Sequence, residues 1–510
     1  MSRVPPEAQY DLAPDFYPSP VSAMNPARTS AVTLAIACAC TTLSTSAAPV
    51  PVAVPPALVK LQQDALEDQR AYATVKSLTE EVGNRFAGSP NDWKAVEWAI
   101  KTLKEQGFSH VHYEKATVPK WVRGKSSVQL VGSQPMEFTS LALGGSVGTG
   151  AGSIEAGVVA VTNVDELEQM SRSDVAGKIV FFYERMLETR DGMDYGPTVR
   201  NRSQGAIAAA KLGAVAVVIR AVGSEDADRP HTGGMRYANG VPRIPAFAIG
   251  NQSADRLLDA YAHGPVRLRL SSTSHCEAPV DSANVIGEIP GRGLGGGVPE
   301  EYVVLGAHLD SWDVGSGAQD DGAGVATVIE AARRIGEMTE RPQRTLRVVL
   351  FANEEFGLSG AKQYALENEL SVAQHHSAIE ADLGAGRVFR FESTVQPADV
   401  QGVMRIADLL RPLGVPYEGN ANTGGADVGP LHQLGVPVFE LQHDASRYFE
   451  IHHTDADRID RIDPRSLAFN VAAYATVAWA LADGPVLEHG ERQWPTPQEG
   501  VHPCEWKAVP

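Results

Sequence analysis

The chain is poor in cysteine, in positive charge and in long apolar runs, and each shortage closes off a class of function. Only four cysteines occur in 510 residues. Cys276 and Cys504 have no tight metal-type spacing around them, so neither reads as a zinc ligand or a nucleophile. Lysine and arginine number 44 against 62 acidic residues, a formal charge of −18 at pH 7. Nucleic acids and anionic membranes call for basic patches, and this balance argues against both. The longest early apolar run, residues 31–40, holds ten residues, half of the roughly twenty that span a bilayer. No cluster of arginines advertises a clamp for a substrate carboxylate.

What is present is enough apolar content, 43%, for full cores in two or three domains. Arg28, the apolar run and the small residues up to Ala48 read as a secretory signal, with Met24 as an alternative start and cleavage near Ala47 or Ala48. Export to a periplasm or the exterior is the expectation, and lipidation at Cys38 or Cys40 is the less favoured variant. In an oxidising compartment Cys276 and Cys504 either pair or stay as buried thiols. Residues 1–48 are thus set apart as leader, with a Pro/Ala/Val linker over 49–56.

Residues 49–120 read as the first part of a main domain. One helix is expected over Leu58–Val82, and another opens at Ser89-Pro90 and stops at Gly107. Residues 121–277 change texture to short strands, many glycines and one clear helix near Gln204–Leu212, which reads as an insert. From 278 to 484 strands and helices alternate, implying an α/β sandwich around a mixed sheet, and the tail 485–510 is polar and Pro-rich. Ligands in such sheets gather at the carboxyl ends of strands.

Four strand-to-loop junctions carry the chemistry. The apolar run at Tyr302–Leu305 delivers His308 and Asp310, and Asp320-Asp321-Gly322 follows in a Gly-flanked turn. Two residues apart on a strand, His308 and Asp310 share a face, so the carboxylate is expected to take one imidazole proton and turn the other nitrogen to a metal. A second apolar strand ends in Glu354-Glu355, a third in Glu380-Ala381-Asp382-Leu383-Gly384, and His452-His453 precede the last helix. A carboxylate has two oxygens and can bridge two cations, which need about this many donors. Each junction alone could be a solvated turn; their conjunction is what points to metal chemistry.

His308-x-Asp310, Asp320-Asp321-Gly322, Asn353-Glu354-Glu355-x-Gly357, Asp382 and His453-x-x-x-Asp457 together resemble the dinuclear zinc aminopeptidase family that also contains glutamate carboxypeptidase and transferrin receptor. The resemblance spans about Leu58 to Leu481 and implies two zinc ions per chain. In its terms His308 and Asp382 hold one ion, Glu355 and His453 the other, and Asp320 bridges them. Glu354 is the general base, Asp310 the orienting acid, His452 a candidate oxyanion partner, and a cis peptide follows Asp320. The fold implied is a phosphorylase/hydrolase-like α/β sandwich, and the order of the insert resembles the β-rich protease-associated domain. Arg458 stands where the family often has threonine.

The expected reaction is hydrolysis of dipeptides or short unblocked peptides through a hydroxide shared by two metal ions, Glu354 moving the proton. An aminopeptidase for longer peptides and a non-catalytic binding protein on the same scaffold are the alternatives. Gly424, Gly425 and Asp427 are the candidate substrate loop, with Asp427 a candidate for a free amino terminus. A small peptide is the expected partner, with no nucleic acid and no membrane span; homodimerisation stays open. Gly144-Gly145-Ser146-Val147-Gly148 matches a nucleophile elbow but lacks the following helix, and Ser359-x-x-Lys362 lacks its companions.

Overall fold

The computed structural model describes residues 53–298, 300–493 and 501–504. The expected leader, its cleavage site and Cys38 and Cys40 lie outside them. Two eight-stranded sheets organise these residues.

The main sheet runs, in spatial order, Ser109–Val122, His275–Ile289, Thr345–Phe351, Tyr302–His308, His375–Glu380, Val438–His443, Val388–Thr394 and Tyr417–Gly419. Its middle four strands are mutually parallel, with His308 level with Phe351 and Gly306 level with Glu380. That register brings the residues after His308, Phe351 and Glu380 to one edge, where an α/β sheet places its ligands. Apolar residues on both faces hold the strands inside. The helices Ala323–Gly336 and Pro464–Asp483 cover one face, the latter buried over nearly its whole circumference.

The single helix expected over Leu58–Val82 is broken. Pro56–Glu67 and Arg70–Ser77 are separate helices, and a wide turn over Leu78–Val82 ends at Gly83. Asp68 breaks it: its backbone is extended, and its carboxylate accepts the Arg70 N–H at 2.9 Å while pairing with Arg334. A short acidic side chain offers the backbone a partner that competes with the helix. Ser89 caps Pro90–Glu105 as its sequence implies, its hydroxyl accepting from the Asp92 N–H.

The chain leaves the main sheet along Ser109–Val122 and returns along His275–Ile289, its antiparallel partner, with Trp121 opposite Cys276. Between them lies the second sheet, whose strands fall between Ser126 and Ser272. It carries more helix than its texture suggested: Val164–Glu168, Arg172–Val175, Tyr195–Ser203, Gly205–Lys211 and Asn251–Ala262. Asn251–Ala262 has an apolar stripe at Ala254 and Leu257, but polar neighbours obscure it. Cys276 and Cys504 form a disulfide, tying the tail to the point where the chain re-enters the main sheet. No helix among the described residues is long and apolar enough to cross a membrane.

Candidate metal centre

Asp320 is the hub. It enters on a turn whose Asp320–Asp321 peptide is cis, and Asp457 accepts three N–H groups of that turn, from Ala318, Gln319 and Asp320, at 2.9, 2.6 and 3.1 Å. Beneath it the buried Arg85 guanidinium donates to the carbonyls of Leu309, Ser316 and Gly317. So held, Asp320 turns one oxygen each way. Oδ1 lies 3.1 Å from His308 Nε2, which is also 3.4 Å from Asp382 Oδ1. Oδ2 lies 3.2 Å from His453 Nε2, which is 2.8 Å from Glu355 Oε2.

The other nitrogen of each imidazole has a carbonyl as partner: His308 Nδ1 faces Asp310 O at 3.1 Å, and His453 Nδ1 faces Thr232 O at 3.2 Å. Only N–H can satisfy a carbonyl, so Nδ1 carries a proton in each ring, and an Nε2 free of a proton turns its lone pair among the carboxylates. Lone pairs and carboxylate oxygens converging at these distances need a positive charge among them. Asp320 Oδ2, Glu355 Oε1 and Asp382 Oδ1 are buried without a hydrogen-bond partner, as cation ligands would be. Two overlapping groups, His308/Asp320/Asp382 and Asp320/His452/His453, bring their donor atoms within 4.8 Å of one another. The donor set, imidazole and carboxylate, suits zinc.

Electrostatics give the same account. Burial raises Glu354 and Glu355 well above the usual carboxylate range. Burial also holds His452 and His453 below the ordinary imidazole value. At His308 burial pulls downward, but the carboxylates of Asp382, Asp310 and Asp320 outweigh it and raise the ring well above that value. The field that draws a proton to His308 in a metal-free chain is the field that would draw a cation.

The structure brings His308, Asp320, Glu354, Glu355, Asp382, His452 and His453 to one place, and Asp310 behind them. One detail differs from expectation. The Asp310 carboxylate stands 3.6 Å from His308 Nδ1, and it is the Asp310 backbone carbonyl that accepts the ring proton. The carboxylate instead accepts the Glu354 N–H at 3.0 Å, fixing the acid that follows the strand. His452 stacks on His453 with ring centroids 3.5 Å apart, and its Nε2 lies 3.5 Å from Asp320 Oδ2. Gly424 and Gly425 line the adjoining cavity. Asp427 does not: it is 1% exposed and sits behind the wall near Glu380 and Glu354. Ser146 is buried, its Oγ donating to Val147 O and accepting from Ala246 N–H, so the elbow-like pattern holds no nucleophile.

Sequence reasoning missed Arg85, and it missed what the second sheet's residues supply. Thr232 orients His453, Arg202 Nη1 stands 3.5 Å from His453 Nδ1, and Tyr195 packs edge-on against His452. None has a motif of its own; a lone arginine between helices and a backbone carbonyl leave no signature. The cavity beside the centre has a volume of about 1010 Å³, with Tyr195, Arg202 and Met235 in its wall on that side.

The model for peptidase family M28 matches residues 284–478, and relatives 33–34% identical cover 84% of the chain. The chain belongs to peptidase family M28, a class of metallo-exopeptidases. Those relatives are carboxypeptidases Q: the Xenopus laevis protein is 34% identical over 84% of this chain and 89% of its own length, the Homo sapiens protein 33% over the same shares. Among solved structures, a Peptidase M28 precursor from Shewanella amazonensis is 41% identical, with a TM-score of 0.81 over 86% of this chain and 98% of that one.

Proposed function

We propose that this chain is a zinc-dependent exopeptidase hydrolysing dipeptides or other short unblocked peptides. His308 and Asp382 would hold one ion and Glu355 and His453 a second, with Asp320 shared between the two sets. The observation that carries this reading is the division of Asp320: each oxygen faces a different His–carboxylate pair, at 3.1 and 3.2 Å. The relatives named carboxypeptidase Q support exopeptidase activity, and the cavity has room for a short peptide.

Bound zinc supplies Lewis acidity toward a carbonyl oxygen and lowers the pKa of water. The chain does the rest. Glu354, raised by burial and fixed through its N–H by Asp310, takes the proton of the attacking water on its carboxylate and returns it to the leaving amine. His452, facing Asp320 and lining the cavity, orients the substrate carbonyl. Residues 121–277 act as a protease-associated insert that walls the substrate cavity and keeps water out. The Cys276–Cys504 disulfide supports export to an oxidising compartment.

Glu354→Gln tests the assignment. It keeps the shape but cannot accept a proton, so kcat on a dipeptide falls by about 10²–10⁴-fold while zinc content stays at the wild-type level. Retained turnover would remove Glu354 from its role.

A further inference from the structure

Three glutamates stand side by side on neighbouring strands of the main sheet. Glu392 is directly opposite Glu440 in the antiparallel ladder of Val388–Thr394 and Val438–His443. Glu380 lies one residue past Ile379, which is level with Phe439 in the parallel ladder on the other side. Side chains alternate along a strand, so Glu380 and Glu440 share a face. Like charges side by side on one face of a sheet destabilise it unless a cation or a proton intervenes.

Among the described residues the cation beside this row is already engaged. Arg390 forms ion pairs with Glu392 at 3.3 Å and with Asp191 at 3.8 Å. Among the described residues no hydrogen bond or ion pair engages the Glu440 carboxyl. Glu380 is 4% exposed; its Oε2 accepts the N–H groups of Asp427 and Val428 at 2.8 and 2.9 Å, and its Oε1 is buried without a partner. Glu380, Glu440 and Asp191 all line the cavity that adjoins the metal centre. The loop beside them approaches as closely as a backbone can. A Cβ on Gly425 would sit 2.4 Å from Glu380 Oε2, and one on Gly424 would sit 2.6 Å from Val438.

We propose that Glu380 and Glu440, flanked by Glu392, form a pocket for a cationic side chain, lysine or arginine, of the peptide substrate, an inference that rests on the exopeptidase reading above. Reach selects the side chain over the substrate's amino terminus. Asp382 follows the strand that carries Glu380, Glu440 is one strand away and Glu392 two, roughly 5 and 10 Å across the sheet. An α-ammonium is tied one carbon from its own residue's carbonyl and stays near the metals. The flexible four-carbon stem of lysine, or the arginine stem, carries its charge across to Glu440. Burial and the neighbouring Glu392 push Glu440 up to about 7 against the pull of Arg390, as befits a carboxyl waiting for a counterion.

The test compares lysyl-alanine with norleucyl-alanine, and alanyl-lysine with alanyl-norleucine, on the zinc-loaded full-length chain. Within each pair the α-ammonium and carboxylate are the same, so the ratio of kcat/KM reads the side-chain charge alone. At one of the two positions the wild type should favour lysine by about tenfold or more. In Glu440→Gln that ratio should fall to within about threefold, and Glu440→Lys should prefer a glutamate peptide over its lysine counterpart. Equal use of lysine and norleucine by the wild type overturns the pocket, whether or not a variant folds, and so does a preference that survives Glu440→Gln. Failure to hydrolyse any of the four overturns the exopeptidase reading, and this inference with it.

Discussion

At the scale of single residues, burial decides which groups carry charge, and His376 shows it away from the metal centre. The ring is 4% exposed, and burial with Arg344 nearby lowers it to about 3, although Pro485 O accepts from its Nε2 at 3.0 Å. Between pH 3 and the unfolded value near 6.5 the unfolded chain binds a proton that the folded chain refuses. Stability therefore rises with pH through that window and is lost as pH falls, by about 2 kcal/mol at pH 5. Urea unfolding of His376→Gln should show the pH 5 to pH 7.5 difference shrinking by that amount relative to wild type. His308, Glu355, Asp382 and His453 must likewise stay unprotonated, because a metal needs their lone pairs. Zinc retention should decline on acidification below about pH 6, as measured by dialysis at stepped pH.

At the scale of elements, what strands and turns do depends on what anchors their ends. Arg85 joins three carbonyls of the segment between His308 and Asp320, and Asp457 gathers three N–H groups of the following turn. Lysine carries the charge of Arg85 but not its planar fork, so Arg85→Lys leaves carbonyls unsatisfied and should lower stability by about 1–3 kcal/mol while weakening zinc affinity. Thermal melting with and without zinc checks both. The strand ends were legible in the sequence because each is an apolar run that stops abruptly at glycine and acid. Asn353-Glu354-Glu355 and Asp382 could be placed that way before any contact was known. The break at Asp68 was not legible, since the helical periodicity continues across it and only a carboxylate bonding back to the Arg70 N–H ends the helix. Glu440 was hidden for a related reason: in a strand that alternates, one polar residue reads as a solvent-facing position.

At the scale of the whole molecule, the chain closes the cavity beside Asp320 with parts far apart in sequence. The helix Tyr195–Ser203 supplies Tyr195 and Arg202 and a loop supplies Thr232, while the tail returns through Val501, which pairs with Tyr237, and His502, whose Nε2 lies 2.9 Å from Phe356 O. The disulfide between Cys276 and Cys504 fixes that return. Replacing both cysteines by serine should destabilise the chain by about 2–5 kcal/mol, read as a lower melting temperature that matches reduced wild type. None of this closure was visible in composition, which records only two cysteines, Cys276 and Cys504, beyond the first 48 residues. The family motifs, by contrast, marked residues that the fold brings together around Asp320, because these lie in short segments of strong chemical character. Whether Asp320 joins two cation sites is read from zinc counted per chain after equilibrium dialysis. Wild type should hold about two ions, and Asp320→Ala one or fewer; a wild type that saturates at one, or an Asp320→Ala chain that keeps two, would contradict that role for Asp320.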